Sequence, residues 1–445
     1  MHAKNLNQLS HKAPHYTIAL VGIIATLCFA FSVAMERDLA RTSEVFLILS
    51  IAFSAKCIYR QNNKTDNYLY FLAFVFLIFM SLINGWAEGY YPDDELNHDR
   101  FMRHYIRLFL FLAVGWWICR SEKLVVLVFI CLTLGFLVKV AGSEDALNLK
   151  GILSGRRMNF DFGNAQHTGI YAGSIIFITL FLQVKALKTS KTLTKICLQT
   201  LLFSTLIICL ICAIASQTRG IFIGLAITLP LLFIAWTIHS SIARKLGIKK
   251  ALTTCIILTV CSIALAFQHG GIDKRFYSAT KTVLTLAEKG INSTPTTSSG
   301  IRLHQWYLAT QLIMERPFLG HGGGTKERLI KNSKMPKAAI GNFGHFHNSY
   351  LELGVAYGLG ATAIFLFLLC FLFCRIISAL KSQQLSPGLA YIGLSWLIFF
   401  SIANIFESYV MYRSGYTLFS IIGGALYGLS IPKRKQHAEP ISQNS

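Results

Sequence analysis

The sequence predicts an all-α polytopic membrane protein, and three observations carry that prediction. Of its 445 residues, 53% are hydrophobic and only 14% are charged, which leaves too little polar surface for a soluble chain. Apolar runs of about 18 to 25 residues recur along the chain, each long enough to cross roughly 30 Å of hydrocarbon as a helix. The basic residues cluster between those runs rather than along one face.

Taken in order, the runs predict about twelve spans, near 16–34, 44–59, 68–86, 105–119, 123–141, 166–184, 197–218, 220–238, 251–268, 348–374, 389–406 and 413–431. The first follows Lys4 and Lys12 as a secretion signal would, but many spans come after it, so it is read as retained. The second and third are apolar runs without further features. The fourth is preceded by "YYPDDELNHDRFMRHYIRLFLF" and the sixth by "SGRRMNFDFGNAQHTG", two polar clusters. Arg219 alone separates the seventh from the eighth, and the last three close the chain.

The formal net charge is +22. In an even-numbered topology with both ends inside, about 20 of the Lys and Arg fall in short cytoplasmic loops or tails, against about 11 on the other side outside one long loop. Clusters such as Lys185/Lys188/Lys191/Lys195, Arg244/Lys245/Lys249/Lys250 and Lys433/Arg434/Lys435 are therefore topogenic anchors facing membrane lipids, and no nucleic-acid partner is expected. The eleven cysteines fall mostly inside spans, as Cys209, Cys212, Cys255, Cys370 and Cys374 do. They behave there as small apolar side chains, with neither a disulfide framework nor a zinc spacing.

Residues 1–445 are expected to form one integral membrane domain, with residues 268–347 as one large loop placed outside the cytoplasm, where part of an active site is expected to be built. Within it, "NSTPTTSSG" is a turn, and Leu303, Trp306, Tyr307, Thr310 and Ile313 recur at helical spacing, predicting an amphipathic helix that ends near Pro317. "GHGGG" then supplies flexible backbone with His321 as loop polarity, and residues 326–337 form a basic segment.

The informative residues are arginines at membrane depth. Arg219 lies between two apolar runs with almost no room for a loop and no acid near it in sequence, so it needs headgroups, an anionic ligand or a wet cavity. Arg302 opens the loop helix, and Arg156 and Arg157 precede the sixth span. Each alone reads as an interfacial anchor. Four on one leaflet favour an anionic ligand, because the planar guanidinium grips phosphate or pyrophosphate bidentately.

His347 ends the loop in "GHFHNSYLELGVAYGLG". A neutral imidazole at a membrane mouth can take a proton from a hydroxyl nucleophile, although a histidine at a span boundary also serves simply as structure. Asn348 can orient the imidazole or the acceptor, and His345 is a second candidate base. No metal set is expected. Asp93, Asp94 and Glu95 are consecutive loop carboxylates of the kind that water usually solvates, and no Walker loop appears, which argues against ATP.

With these residues in hand, the sequence resembles the O-antigen ligase and polymerase superfamily from about Asp93 to Arg413. His347, Asn348 and Gly358 match its His-Asn, nine residues, Gly pattern, with Ala361 where the family often has a second glycine and Gly360 adjacent. "SQTRG", "GIRLHQWYLATQLIMERPFLGHGGG" and "RRMNFDFGNAQHTG" resemble further family blocks in the same order.

The resemblance implies a GT-C-like glycosyltransferase with about twelve helices and a large periplasmic loop. It implies a cell inner membrane location in a Gram-negative bacterium, both termini cytoplasmic, and no cofactor. The donor would be undecaprenyl-diphosphate-linked O-antigen, its diphosphate held by Arg219 and Arg302 with Arg157 as a further contact, while His347 activates a hydroxyl of the lipid A core oligosaccharide. Arg103 or Arg107 corresponds loosely to a basic position near the fourth span. The alternative is a polymerase using the same donor. A protein O-oligosaccharyltransferase ranks third, because such relatives usually extend beyond the last span where this chain has about 14 residues. A secondary transporter is disfavoured because its ionisable groups would sit near midplane, whereas only Lys139 and Glu407 depart from the single cluster, both near span ends.

Overall fold

The computed structural model describes residues 16–431 apart from 62–63, 91–97, 120, 149, 152–153, 155, 187–190, 240–271 and 342–343. The span expected at 251–268 and the acidic trio Asp93, Asp94 and Glu95 lie outside the described residues. Among the described residues every element is helical and none is a strand.

Among the described residues, nine helices are long and apolar enough to cross a membrane. They are α1 (Tyr16–Met35), α2 (Arg37–Gln61), α3 (Lys64–Tyr90), α6 (Glu122–Ala141), α7 (Ala165–Ala186), α8 (Thr192–Ser216), α9 (Arg219–His239), α12 (Ser349–Lys381) and α13 (Pro387–Phe406). Between α3 and α6 lie α4 (His98–Ile106) and α5 (Leu110–Ile118). Between α9 and α12 lie α10 (Ile272–Lys289) and α11 (Ser298–Glu315), and α14 (Arg413–Leu418) and α15 (Gly424–Ser430) follow α13.

Burial separates a centre from a rim. In α7, 78% of the most apolar stretch is buried and in α13 61%, against 28% in α3 and 22% in α8, so α7 and α13 form the middle of the bundle. On the rim, Phe71 and Phe74 of α3 point outward at 64% and 60% exposure, which acyl chains accommodate and water does not. Polar groups inside are matched across helices: Trp396 Nε1 donates to Ser174 Oγ at 3.2 Å and the Tyr171 hydroxyl to the Val33 carbonyl at 3.0 Å.

Two expected spans are not single regular helices. The one near 105–119 is α4, a 3₁₀ turn Arg107–Phe109, and α5; the one near 413–431 is α14, a π-helical stretch Phe419–Gly423, and α15. The irregular stretches meet, since Ser420 Oγ donates to the Arg107 carbonyl at 3.2 Å and the Arg107 guanidinium pairs with Glu44 of α2. Polar groups diverted sideways distort a helical ladder, and π segments concentrate where this happens.

The third irregularity bears on the site. Tyr357 and Gly358 leave helical geometry inside α12, Gly358 with φ +75°. A Cβ at Gly358 would stand 2.3 Å from the Phe318 carbonyl oxygen, so both conformation and space require glycine. The amide ladder lost there is replaced by the Pro317-to-Gly322 segment: Leu359 N donates to Pro317 O at 2.7 Å, His321 N to Val355 O at 2.8 Å and Gly322 N to Ala356 O at 2.9 Å. The motif glycine and the Pro-x-x-Gly-x-Gly segment are one structural unit that clamps the loop to the bundle.

The loop helix forms as expected but turns a different face inward. Thr297 caps α11 by accepting from Gly300 N at 3.2 Å, yet the buried residues are Gly300, His304, Gln305, Ala309 and Leu312, while Tyr307 and Thr310 are exposed. His304 and Gln305 can face inward because Thr294 O and Ala339 O receive them at 3.1 and 3.4 Å. His321 is likewise buried, its Nε2 3.0 Å from Leu312 O, rather than loop polarity. Lys326 does not belong to a solvated basic segment either: it is buried and paired with Glu352.

Candidate active site

The start of α12, the end of α13, the start of α14, the α8–α9 turn and the start of α11 meet at one end of the bundle. Asn348 caps α12, its Oδ1 accepting from Tyr350 N at 3.0 Å and Leu351 N at 3.2 Å, so this oxygen is occupied in fixing the helix start. The preceding His347 has φ +51°, a left-handed conformation that costs a side-chain-bearing residue roughly 1–2 kcal/mol. Bonds on both sides hold it there: Phe346 N donates to Glu352 at 3.0 Å and Asn348 N to Ser408 Oγ at 3.1 Å.

That strain aims His347 at Glu407, the first residue beyond α13. His347 Nδ1 lies 3.0 Å from Glu407 Oε2, and His345 Nε2 lies 2.9 Å from Glu407 Oε1. Tyr412 adds its hydroxyl 3.2 Å from His345 Nδ1. Counting donors assigns the protons: a carboxylate only accepts, so His347 carries its proton on Nδ1 and its lone pair on Nε2, and His345 carries its proton on Nε2 and accepts from Tyr412.

The electrostatics agree with a neutral His347. Burial lowers its pKa below the usual 6.5, and the opposing pull of Glu407 does not restore it. For Glu407 burial pushes upward, but His347 and His345 outweigh it and hold the carboxyl well below the usual range. An ionised carboxylate therefore faces a neutral imidazole with a defined tautomer, the arrangement that fixes a catalytic base in orientation.

The arginines approach from the other side. Arg219, at the first position of α9, donates to Ser299 Oγ and Ser298 Oγ, both at 2.6 Å, and these hydroxyls orient the guanidinium without neutralising it. One turn along α11, Arg302 stands 4.0 Å from Glu407. Arg157 Nε donates to the carbonyl of Ser216, at the end of α8, at 3.1 Å. Burial raises the pKa of the Tyr409 hydroxyl with Glu407 adding to it, and Arg302 and Arg157 both act against that rise.

Not every residue singled out from the sequence joins this cluster. Arg156, Arg103 and Arg157 are all exposed, and of these Arg157 is tied to the end of α8 through the Ser216 carbonyl. Arg107 is tied to Glu44 and lies over the Tyr416 ring at 5.4 Å. Glu407, set apart from the cluster on sequence, stands at its centre because the end of α13 brings it against His347 and His345, and Tyr412, Ser298 and Ser299, which carry no signal in the sequence, join it as well. One signal was available, because Glu352 and Glu407 are the only acids in residues 348–431 and both fall at span ends.

The family model for O-antigen ligase matches residues 204–366. This stretch is similar to the O-antigen ligase family. It contains Arg219, Arg302, His345, His347, Asn348 and Gly358, while Arg157, Glu407 and Tyr412 lie outside it. No curated protein matches the chain. The family indicates a ligase- or polymerase-type function, and the O-antigen ligase stretch supplies the imidazole and two of the arginines of the cluster.

Proposed function

We propose that this protein is an O-antigen ligase that transfers O-antigen polysaccharide from undecaprenyl diphosphate to a sugar hydroxyl of the lipid A core oligosaccharide, at the periplasmic face of the inner membrane. The observation that carries the reading is the buried His347–Glu407 pair set against Arg302, Arg219 and Arg157 at one end of the bundle. A base and an anion clamp side by side are what attack on a glycosyl diphosphate needs.

In the step, the acceptor oxygen bonds to the anomeric carbon while its proton passes to His347 Nε2. The bond from that carbon to the diphosphate oxygen breaks, and its electron pair leaves with undecaprenyl diphosphate. Arg219 and Arg302 stabilise the growing negative charge, with Arg157 as a further phosphate contact, and Glu407 holds the imidazolium that forms. A single displacement inverts the anomeric centre. The diphosphate is already an activated leaving group, so the step as written uses neither ATP nor a metal.

A polymerase would use the same donor and the same groups, differing only in the acceptor. Deleting the gene in its host and resolving the lipopolysaccharide separates the two. Bare lipid A core, with long O-chains stranded on undecaprenyl diphosphate, is the expected result. Core capped by a single repeat unit would instead identify a polymerase, and an unchanged ladder would contradict both.

A further inference from the structure

Three potential ligand atoms converge in the site, each within hydrogen-bond distance of the other two. His345 Nε2 is 3.0 Å from His347 Nδ1, and the two lie 2.9 and 3.1 Å from Glu407 Oε1. If each nitrogen carries a proton toward the carboxylate, the 3.0 Å nitrogen–nitrogen contact sets two N–H groups against each other. Stripped of those protons, the same three atoms are the vertices of a coordination polyhedron. Donors bound to zinc at about 2.0–2.2 Å stand about 3.3–3.6 Å apart on neighbouring tetrahedral vertices, a few tenths of an ångström more than the 2.9–3.1 Å found here. All three ligating atoms lie within 4.8 Å of one another, on a loop end and a helix end.

We propose that His345, His347 and Glu407 form an inhibitory binding site for a divalent transition ion of the zinc type. Two imidazole nitrogens and a carboxylate are the donor set such ions favour over calcium or magnesium. The consequence follows from tautomer chemistry. Coordination takes the Nδ1 lone pair of His347, so its proton moves to Nε2, the atom assigned to accept the hydroxyl proton. His345 likewise moves its proton to Nδ1 and donates it to the Tyr412 oxygen, so no proton is lost overall. A base becomes an inert N–H donor, and Glu407 is diverted from orienting it to holding the ion. Arg302, 4.0 Å from Glu407, is a fixed positive charge that weakens the ion's hold.

Inhibition rests on the reading of His347 as the base; binding does not. The test therefore measures binding first, on the full chain purified in detergent and stripped with a chelator. Zinc ion alone is titrated calorimetrically into wild type, His345→Ala, His347→Ala and Glu407→Gln. One equivalent should bind to wild type, and each variant should weaken it by at least about tenfold. Arg302→Gln should tighten it, a gain that damage to the fold would not give. Cobalt ion bound to wild type should show the visible bands of a low-coordinate site. Absence of zinc binding, or binding unchanged in all three ligand variants, overturns the site. Zinc-loaded protein that transfers glycan at the metal-free rate would leave the site standing but overturn its inhibitory role and count against His347 as the base.

Discussion

Glu352 and Glu407 are two buried glutamates, 1% and 2% exposed, that share the neighbour Ser408: its hydroxyl donates to Glu352 at 3.1 Å and its amide to Glu407 at 3.0 Å. Their other partners differ in kind. Glu352 is met by the Lys326 ammonium and by the Phe346 amide, partners that fix it and with it the loop on either side of His347. Glu407 is met by two imidazoles and, at 4.0 Å, by an arginine. An acid matched by a lysine and a backbone amide is scaffold. An acid matched by two imidazoles at a cluster of arginines is positioned for chemistry.

The comparison is sharpest at His347. His347→Ala should lower the transfer rate by about 10²–10⁴, the range for losing a positioned base, while lipid-linked donor still binds to the arginines. Arg219→Ala together with Arg302→Ala should give a comparable loss through failure to use the donor, read as a fall in kcat/KM. Full turnover in that double variant would remove the diphosphate clamp from the account.

Glu407→Gln should cost less in rate but alter the pH profile. His347 has a lowered pKa, so the acidic limb of wild-type activity should fall below the usual histidine value of 6.5. Glu407 is the group that pulls His347 upward, so removing its charge should move that limb to still lower pH. The same sign governs stability: the fold favours neutral His347, so this residue's contribution is fully present above 6.5 and is lost as pH falls through its lowered value.

Glu352→Gln should behave in the opposite way. It leaves Lys326 buried without its ion-pair partner, a change that typically costs about 3–5 kcal/mol. Burial already lowers the Lys326 pKa, against the upward pull of Glu352, so loss of the ammonium's proton should relieve part of that cost. Thermal unfolding in detergent should shift down, with the surviving folded protein keeping its pH profile. A pH shift equal to that of Glu407→Gln would erase the distinction between the two acids. The smallest effect expected is from Ser298→Ala with Ser299→Ala, which removes the hydroxyls orienting Arg219; water that enters in their place restores most of the hydrogen bonding, so a few-fold rise in KM for the donor is expected.

Much of the architecture was legible because apolar run length speaks directly to membrane crossing. Nine of the expected spans appear as long helices, whereas the runs near 105–119 and 413–431 are interrupted by an interaction between Arg107 and Ser420, more than 300 residues apart, that no local pattern encodes. The candidate site was legible where a residue's placement is unusual, as with Arg219 between two spans or His347 at a span mouth. It was not legible where meaning comes from a distant partner. Glu407 is 60 residues from His347 in sequence and 3.0 Å away in space, Lys326 reads as surface charge until Glu352 is seen beside it, and His345, His347 and Glu407 show no metal-ligand spacing along the chain. The turn of the loop helix was misread for the same reason, because His304 and Gln305 look like surface residues until their backbone acceptors are known.

The most direct test is single-turnover transfer by purified His347→Ala, with donor binding measured in parallel. The account predicts bound undecaprenyl-diphosphate-linked glycan that is not passed to the acceptor. Wild-type turnover in this variant would contradict the base at the centre of the site.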